Sequence, residues 1–296
     1  MVEDISSVIR KGFDTWKENL CICLPFVFSS ILTPIVAIII IGSVILASTP
    51  SLVPYLTKPD GITPDLIPQL LPQILQSIDI IIAFIVTIIL CKLIDAFFWA
   101  GAIGMAKEAT ETGRTSFYHL IEYGKRKFIS LFFTDIIIGL ISFGGIAFLI
   151  PGILYILPEL RALSELPPEE AAMALAVFGL GFLAMIVYLM IIGIIFALPR
   201  YSVVIDDVGA IEGIKNGFAA FMRNKVVVFL LWLIALAVTM IVASSGAIPY
   251  IGGIISMILS VIIIQPLTVI WWSRLYLSIV EPSFIHSPPL TSSKIG

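Results

Sequence analysis

The sequence predicts an all-α polytopic membrane protein with six transmembrane helices, and three observations predict it. Apolar runs long enough to cross a bilayer recur six times, at Leu20 to Ala47, Ile78 to Met105, Phe128 to Leu157, Ala171 to Leu198, Val226 to Ala247 and Ile251 to Val280. Only 12% of the 296 residues are charged and 59% are hydrophobic, where a soluble domain carries about 25% charged residues. Lysine and arginine also fall on alternate connections. Three lie in the leader, five in residues 107 to 127, four in residues 200 to 225 and two at the C-terminal end, against Lys58 and Arg161 on the other side. By the positive-inside rule both termini are expected in the cytoplasm of a multi-pass cell-membrane protein.

Residues 5 to 19 begin the chain's periodic pattern. Ile5, Val8, Ile9, Gly12 and Trp16 share a helix face, with Arg10, Lys11 and Lys17 elsewhere on the wheel. The spacing predicts an amphipathic helix at the membrane surface. The first span follows and contains Pro25 and Pro34. It is too long for a signal-peptide core, so it reads as an uncleaved first helix.

Residues 48 to 77 hold six prolines, which stop any long helix and predict a segment on the membrane surface or capping the helix ends. After the second span, Phe117, Leu120, Ile121, Gly124 and Phe128 give another amphipathic turn before the third span. A short acidic loop leads to the fourth span, and Glu169 and Glu170 at its start suit the positive end of the helix dipole. A third amphipathic element, with Ile211, Ile214, Phe218, Phe221 and Met222, precedes the fifth span. The sixth span carries the small-residue stripe Gly252, Ser256 and Ser260, which admits a close helix neighbour.

These elements make one membrane domain over residues 1–281, with a flexible cytoplasmic tail at 282–296. Ile9, Gly12 and Trp16 share their spacing with Ile121, Gly124 and Phe128, and with Ile214, Gly217 and Phe221. Each set stands just before an odd-numbered span. The recurrence predicts a threefold repeat of helical hairpins, over about 5–106, 116–199 and 210–280, with three cytoplasmic-side interfacial helices.

The candidate site is set by charge in apolar surroundings. Lys92 and Asp95 lie three apart in the second span, so they share a helix face and can pair. A charge at bilayer depth costs about 2.5 to 3.5 kcal/mol on insertion scales. Asp135 lies at similar depth in the antiparallel third span, which permits a Lys92, Asp95 and Asp135 cluster. That cluster reads as a structural ion pair, as a ligand or ion pathway, or as a water-filled crevice. Gln265 precedes Pro266 midway along the sixth span, where it can line a cavity or satisfy backbone groups freed by the proline. Trp271, Trp272 and Arg274 read as an interfacial belt, and Asp206 and Asp207 as a cap for the following helix.

The stretch Arg200-Tyr201-Ser202-Val203-Val204-Ile205-Asp206-Asp207-Val208-Gly209-Ala210-Ile211-Glu212-Gly213-Ile214-Lys215-Asn216-Gly217-Phe218 resembles a recurring element of one group of membrane domains. The group comprises uncharacterised archaeal six-helix proteins and the membrane domain fused to some bacterial glycerophosphodiester phosphodiesterases. The resemblance implies a fold. The soluble phosphodiesterase domain, with its histidine and carboxylate metal site, has no counterpart in this sequence.

A net charge of −3 gives no polybasic signature of nucleic-acid binding. Cys21, Cys23 and Cys91 sit in or beside apolar spans and suit small buried hydrophobes rather than disulfides. No nucleophile elbow, phosphate-binding glycine loop or metal-binding histidine motif occurs. The sequence therefore predicts no enzyme, no metal and no cofactor. It predicts a small transporter or channel-like protein handling a lipid, amphiphile or ion through a polar interior. The alternative is a non-transporting scaffold or bilayer sensor acting through its surface helices. The expected partners are the lipid bilayer, a lipid or small amphiphile ligand, and further copies of the chain in a homo-oligomer.

Overall fold

The computed structural model describes residues 2–48, 78–156 and 168–280, and no strand occurs among them. Six helical stretches are long and apolar enough to cross a bilayer: Leu20–Ser48, Ile78–Thr112, Phe117–Leu154, Leu175–Ile205, Lys225–Ala247 and Gly252–Val280. Six such helices are compatible with a multi-pass membrane protein. The proline-rich segment, most of the acidic loop and the tail lie outside the described residues.

Helix α1 (Ile5–Glu18) starts at Asp4, whose carboxylate accepts from the Ser6 amide at 3.2 Å. Asn19 ends it, donating its side-chain amide back to the Thr15 carbonyl at 3.1 Å. A 3₁₀ turn then enters α2 (Leu24–Ser48). Helix α3 (Ile78–Thr112) runs a further seven residues past the apolar stretch and stops at Gly113, whose φ of 79° few other residues adopt. Helix α4 (Phe117–Phe143), a 3₁₀ turn, and α5 (Ile150–Ile156) complete the third crossing. Helices α6 (Pro168–Ile195) and α7 (Pro199–Ile205) make the fourth. Helix α8 (Ala210–Arg223) leads into α9 (Lys225–Ser244), and α10 (Gly252–Leu259) with α11 (Gln265–Val280) makes the sixth.

The second amphipathic element differs from expectation. It is the opening of α4 and not a separate surface helix. The reason is local. Asn19 and Asn224 stand seven residues beyond Gly12 and Gly217, and each folds its amide onto the carbonyl four residues back, ending the helix. Seven residues beyond Gly124 the chain has Leu131, which offers no such stop.

The packed core lies at the end of the bundle that carries α1 and α8. Val8, Ile22, Ile103, Leu120, Leu198, Val203, Ile270 and Leu275 are buried there. Towards the other end the helices keep their apolar side chains on the outside, among them Ile38, Ile81, Leu140, Leu180 and Ile241. So much exposed apolar surface suits acyl chains rather than water.

Three glycines fasten the amphipathic elements to this core. Gly12 faces Trp271 and Ile270 of α11, Gly124 faces Phe97 of α3, and Gly217 faces the backbone of Pro199 at the start of α7. The partners belong to the sixth, second and fourth spans. Each partner thus lies on an even-numbered span, and none of the three places has room for a Cβ.

A π turn at Ser260–Ile264 precedes Pro266 in the last span. Proline lacks the N–H that would bond the Ile262 carbonyl in a regular helix. The Trp16 indole and the Cys23 thiol donate to that carbonyl instead, at 3.2 and 3.1 Å. Gln265 does not take this role, since its amide donates to the Ser260 hydroxyl at 3.4 Å.

Candidate interior site

Two cavities open among the spans, of about 450 and 460 Å³. The first is lined by Lys92, Asp135, Arg200, Phe196, Trp232 and Trp272, with Gly139 in its wall. The second is lined by Ser29, Ser30, Asp95, Thr239, Ser260 and Gln265. Trp99 of α3 and Thr268 of α11 line both and form the shared wall.

The expected Lys92–Asp95 pair does not form. Asp95 accepts from the Ser29 and Thr33 hydroxyls of α2, at 2.7 and 3.1 Å. Three-residue spacing places both groups on one side of α3, but α2 supplies two donors on the Asp95 side and satisfies it there. Lys92 faces the other cavity and makes no ion pair among the described residues. The three-residue cluster is thus divided, with Lys92 and Asp135 in one cavity and Asp95 and Gln265 in the other.

Asp135 has a partner that spacing did not reveal. Arg200 Nε lies 2.6 Å from its Oδ1, and the guanidinium stacks over Trp99 at 5.1 Å. The sequence reading assigned Arg200 to a polar connection. Its signal was available in the apolar run Tyr201 to Ile205, which continues the span beyond the arginine. Proline begins α7 at Pro199, where its missing N–H costs no helical hydrogen bond, and α7 carries Arg200 back into the bundle.

The expected tryptophan belt is also replaced by core. Trp271 and Trp272 are about 5% and 6% exposed. The Trp271 indole donates to the Ile9 carbonyl at 3.3 Å, because α1 packs on this helix. Arg274 is buried in a two-pronged pair with Glu3, at 2.8 and 3.1 Å, and Lys11 and Ser7 reach the same carboxylate at 3.1 and 2.8 Å. Burial opposes ionisation of Glu3, yet these donors and the Arg274 and Lys11 charges outweigh it and hold the carboxyl below its usual range. Two charges counted towards the basic side, Arg200 and Arg274, are therefore committed to pairs inside the fold.

Asp206 and Asp207 end α7 instead of capping α8, whose N-cap is Gly209. Asp206 accepts from Ser202 at 2.9 Å and from Tyr276 at 2.5 Å. Asp207 takes a left-handed φ of 60° and meets Lys127 at 2.6 Å and Arg126 at 3.3 Å. The Lys127 hydrogen bond and the nearby Arg126 and Lys107 charges hold its carboxyl below the ordinary range. Lys107 also donates to the Ile205 carbonyl at 3.2 Å, a cation at the negative end of α7.

With this geometry in place, comparison with known proteins gives a family. The model of the domain of unknown function DUF7847 matches residues 65–275, well over half of the chain. This chain belongs to the DUF7847 family. An uncharacterized protein of Archaeoglobus fulgidus is similar to it, 25% identical over 289 residues, covering 93% of this chain and 96% of its own length. No solved structure matches this DUF7847 chain.

Proposed function

We propose that this DUF7847 protein is a membrane carrier or channel-like protein that takes a lipid, amphiphile or ion into its polar interior, with both termini cytoplasmic and without enzymatic activity. The observation that carries the reading is the pair of cavities divided by Trp99 and Thr268, with ionisable groups from the long apolar helices on both sides. Such groups inside a span cost free energy, and lining a substrate path is a common reason for keeping them. Side chains from all six crossings line one cavity or the other. A site between several spans suits rocking of one hairpin against the others.

The threefold repeat belongs to the same proposal. Its support is the cyclic order in which Gly12, Gly124 and Gly217 meet the sixth, second and fourth spans. This order also weighs against a bilayer-sensing scaffold. A sensor helix must exchange between protein and membrane, whereas α1 and α8 are held where no Cβ fits.

The test is reconstitution of the full chain in phosphatidylcholine vesicles with a fluorescent fatty acid and a fluorescent phospholipid as cargo. The expected result is transfer across the bilayer that falls at least about tenfold in Lys92→Met and Asp95→Asn, with unchanged thermal unfolding. Equal transfer with wild type and empty vesicles for both cargoes would sink the proposal.

A further inference from the structure

The Lys92 cavity holds an unbalanced charge. Its wall carries two cations, Lys92 and Arg200, and one carboxylate, Asp135. Asp135 is already engaged by Arg200 Nε at 2.6 Å. The two terminal guanidinium nitrogens make no hydrogen bond among the described residues, and Lys92 has no acidic partner there. One positive charge and a half-used planar donor fork are left facing the same space. A fork of this kind matches the paired oxygens of a carboxylate or phosphate.

The rest of the wall has the opposite character. Trp99, Phe196, Trp232 and Trp272 line the cavity beside the charged groups, with Arg200 lying over the Trp99 ring. A small inorganic anion would leave those faces without purpose, and a neutral lipid would leave Lys92 without a counter-charge. A cation would add to the charge already present. A molecule with an anionic head and an apolar chain satisfies both halves of the wall.

We propose that the Lys92 cavity binds the anionic head group of an amphiphile, through Lys92 Nζ and the free guanidinium nitrogens of Arg200, with the aromatic wall holding the start of its chain. This deepens the carrier reading and rests on it. Asp135 is a positioning residue, since it fixes the guanidinium through Nε and leaves the fork directed at the cavity. The second cavity plays no part in head-group binding, because its one ionisable group is Asp95 and like charge would repel the ligand.

The full chain in dodecyl maltoside micelles is titrated with oleate, dodecyl phosphate and dodecanol while tryptophan emission is followed. The expected result is saturable binding of oleate, dodecyl phosphate or both, with dodecanol at least about tenfold weaker. The choice between the two anions identifies the head group, carboxylate or phosphate. Lys92→Met weakens anion binding at least about tenfold, and Lys92→Arg retains it. If Lys92→Met does not fold, Gly139→Leu serves in its place, because Gly139 has open space where a side chain would stand. That side chain narrows the cavity without altering charge and weakens anion binding at least about tenfold. Equal binding of dodecanol, or anion binding unaffected by both variants, overturns the assignment. Vesicle transfer without preference for charge overturns this inference and leaves the carrier standing. Anion binding without transfer does the reverse.

Discussion

The Trp16 indole donates to the Ile262 carbonyl at 3.2 Å, the group that Pro266 deprives of its helical partner. A helix near the start of the sequence thereby completes the backbone of the last span. Cys23 adds a second donor at 3.1 Å. Trp16→Phe should lower stability by about 1 kcal/mol, the net value of a hydrogen bond. Pro266→Ala returns the missing N–H and should make the same substitution nearly silent. A double-mutant cycle by thermal unfolding in detergent measures the coupling, and additivity of the two changes would contradict it.

The Glu3–Arg274 pair predicts unequal effects of single and double replacement. Glu3→Gln takes the Glu3 charge from a buried guanidinium and should cost about 1.5 to 3 kcal/mol, the range for hydrogen bonds to charged groups. Arg274→Met is the second single change, and Glu3→Leu with Arg274→Met should cost clearly less than either. Chemical unfolding of the three variants decides the order.

The same carboxyl fixes a direction with pH. Its folded value is depressed, so its contribution is complete above the titration of an unfolded glutamate, about 4.3. It is lost as pH falls through the lower folded value. Wild-type stability should therefore decline below about pH 4.3, with a smaller decline in Glu3→Gln. Identical acid profiles for the two proteins would rule out this contribution.

Replacing each clamp glycine by alanine should rank by what the new methyl meets. At Gly217 it meets the Pro199 backbone nitrogen at 2.5 Å, which cannot yield without moving α7. At Gly124 it meets the edge of the Phe97 ring at 2.8 Å, which can turn aside. Gly217→Ala should cost about 1 to 3 kcal/mol, the usual range for overpacking, and Gly124→Ala less. Melting temperatures of the two variants test the ranking.

Asp207 combines a left-handed backbone with the partner of a nearly buried Lys127. Asp207→Gly loses the charge but relieves the backbone, whereas Asp207→Ala loses the charge and keeps the strain. The alanine variant should be less stable by about 1 kcal/mol. Equal stabilities would show that the turn adopts another conformation when the carboxylate is removed.

The six crossings were legible because bilayer thickness imposes a length that composition cannot hide. Boundaries were less so. Glu122 and Lys125 to Lys127 mark where the apolar run begins but not where the helix begins, and the absence of an asparagine at Leu131 lets α4 run through both. The positions of Lys92, Asp95 and Asp135 inside long apolar helices were equally legible, since they stand inside apolar runs. Partner choice was not. Periodicity gives the face of one helix, while the donors to Asp95 come from Ser29 and Thr33 and the cation beside Asp135 comes from Arg200, each on another element. Trp271, Trp272 and Arg274 were misplaced for the same reason. Aromatic and basic residues near a helix end have a membrane-surface signature only when no neighbour covers them, and α1 covers these.

Glu3 and Arg274 are 271 positions apart, and α1 docks on α11 where they meet. A ribosome releases α1 long before it makes α11, so until then α1 can hold only to earlier elements, through Asn19 at Gly113 and Thr115. Assembly thus has a built-in late step: the Glu3–Arg274 pair forms only after the sixth span has been made.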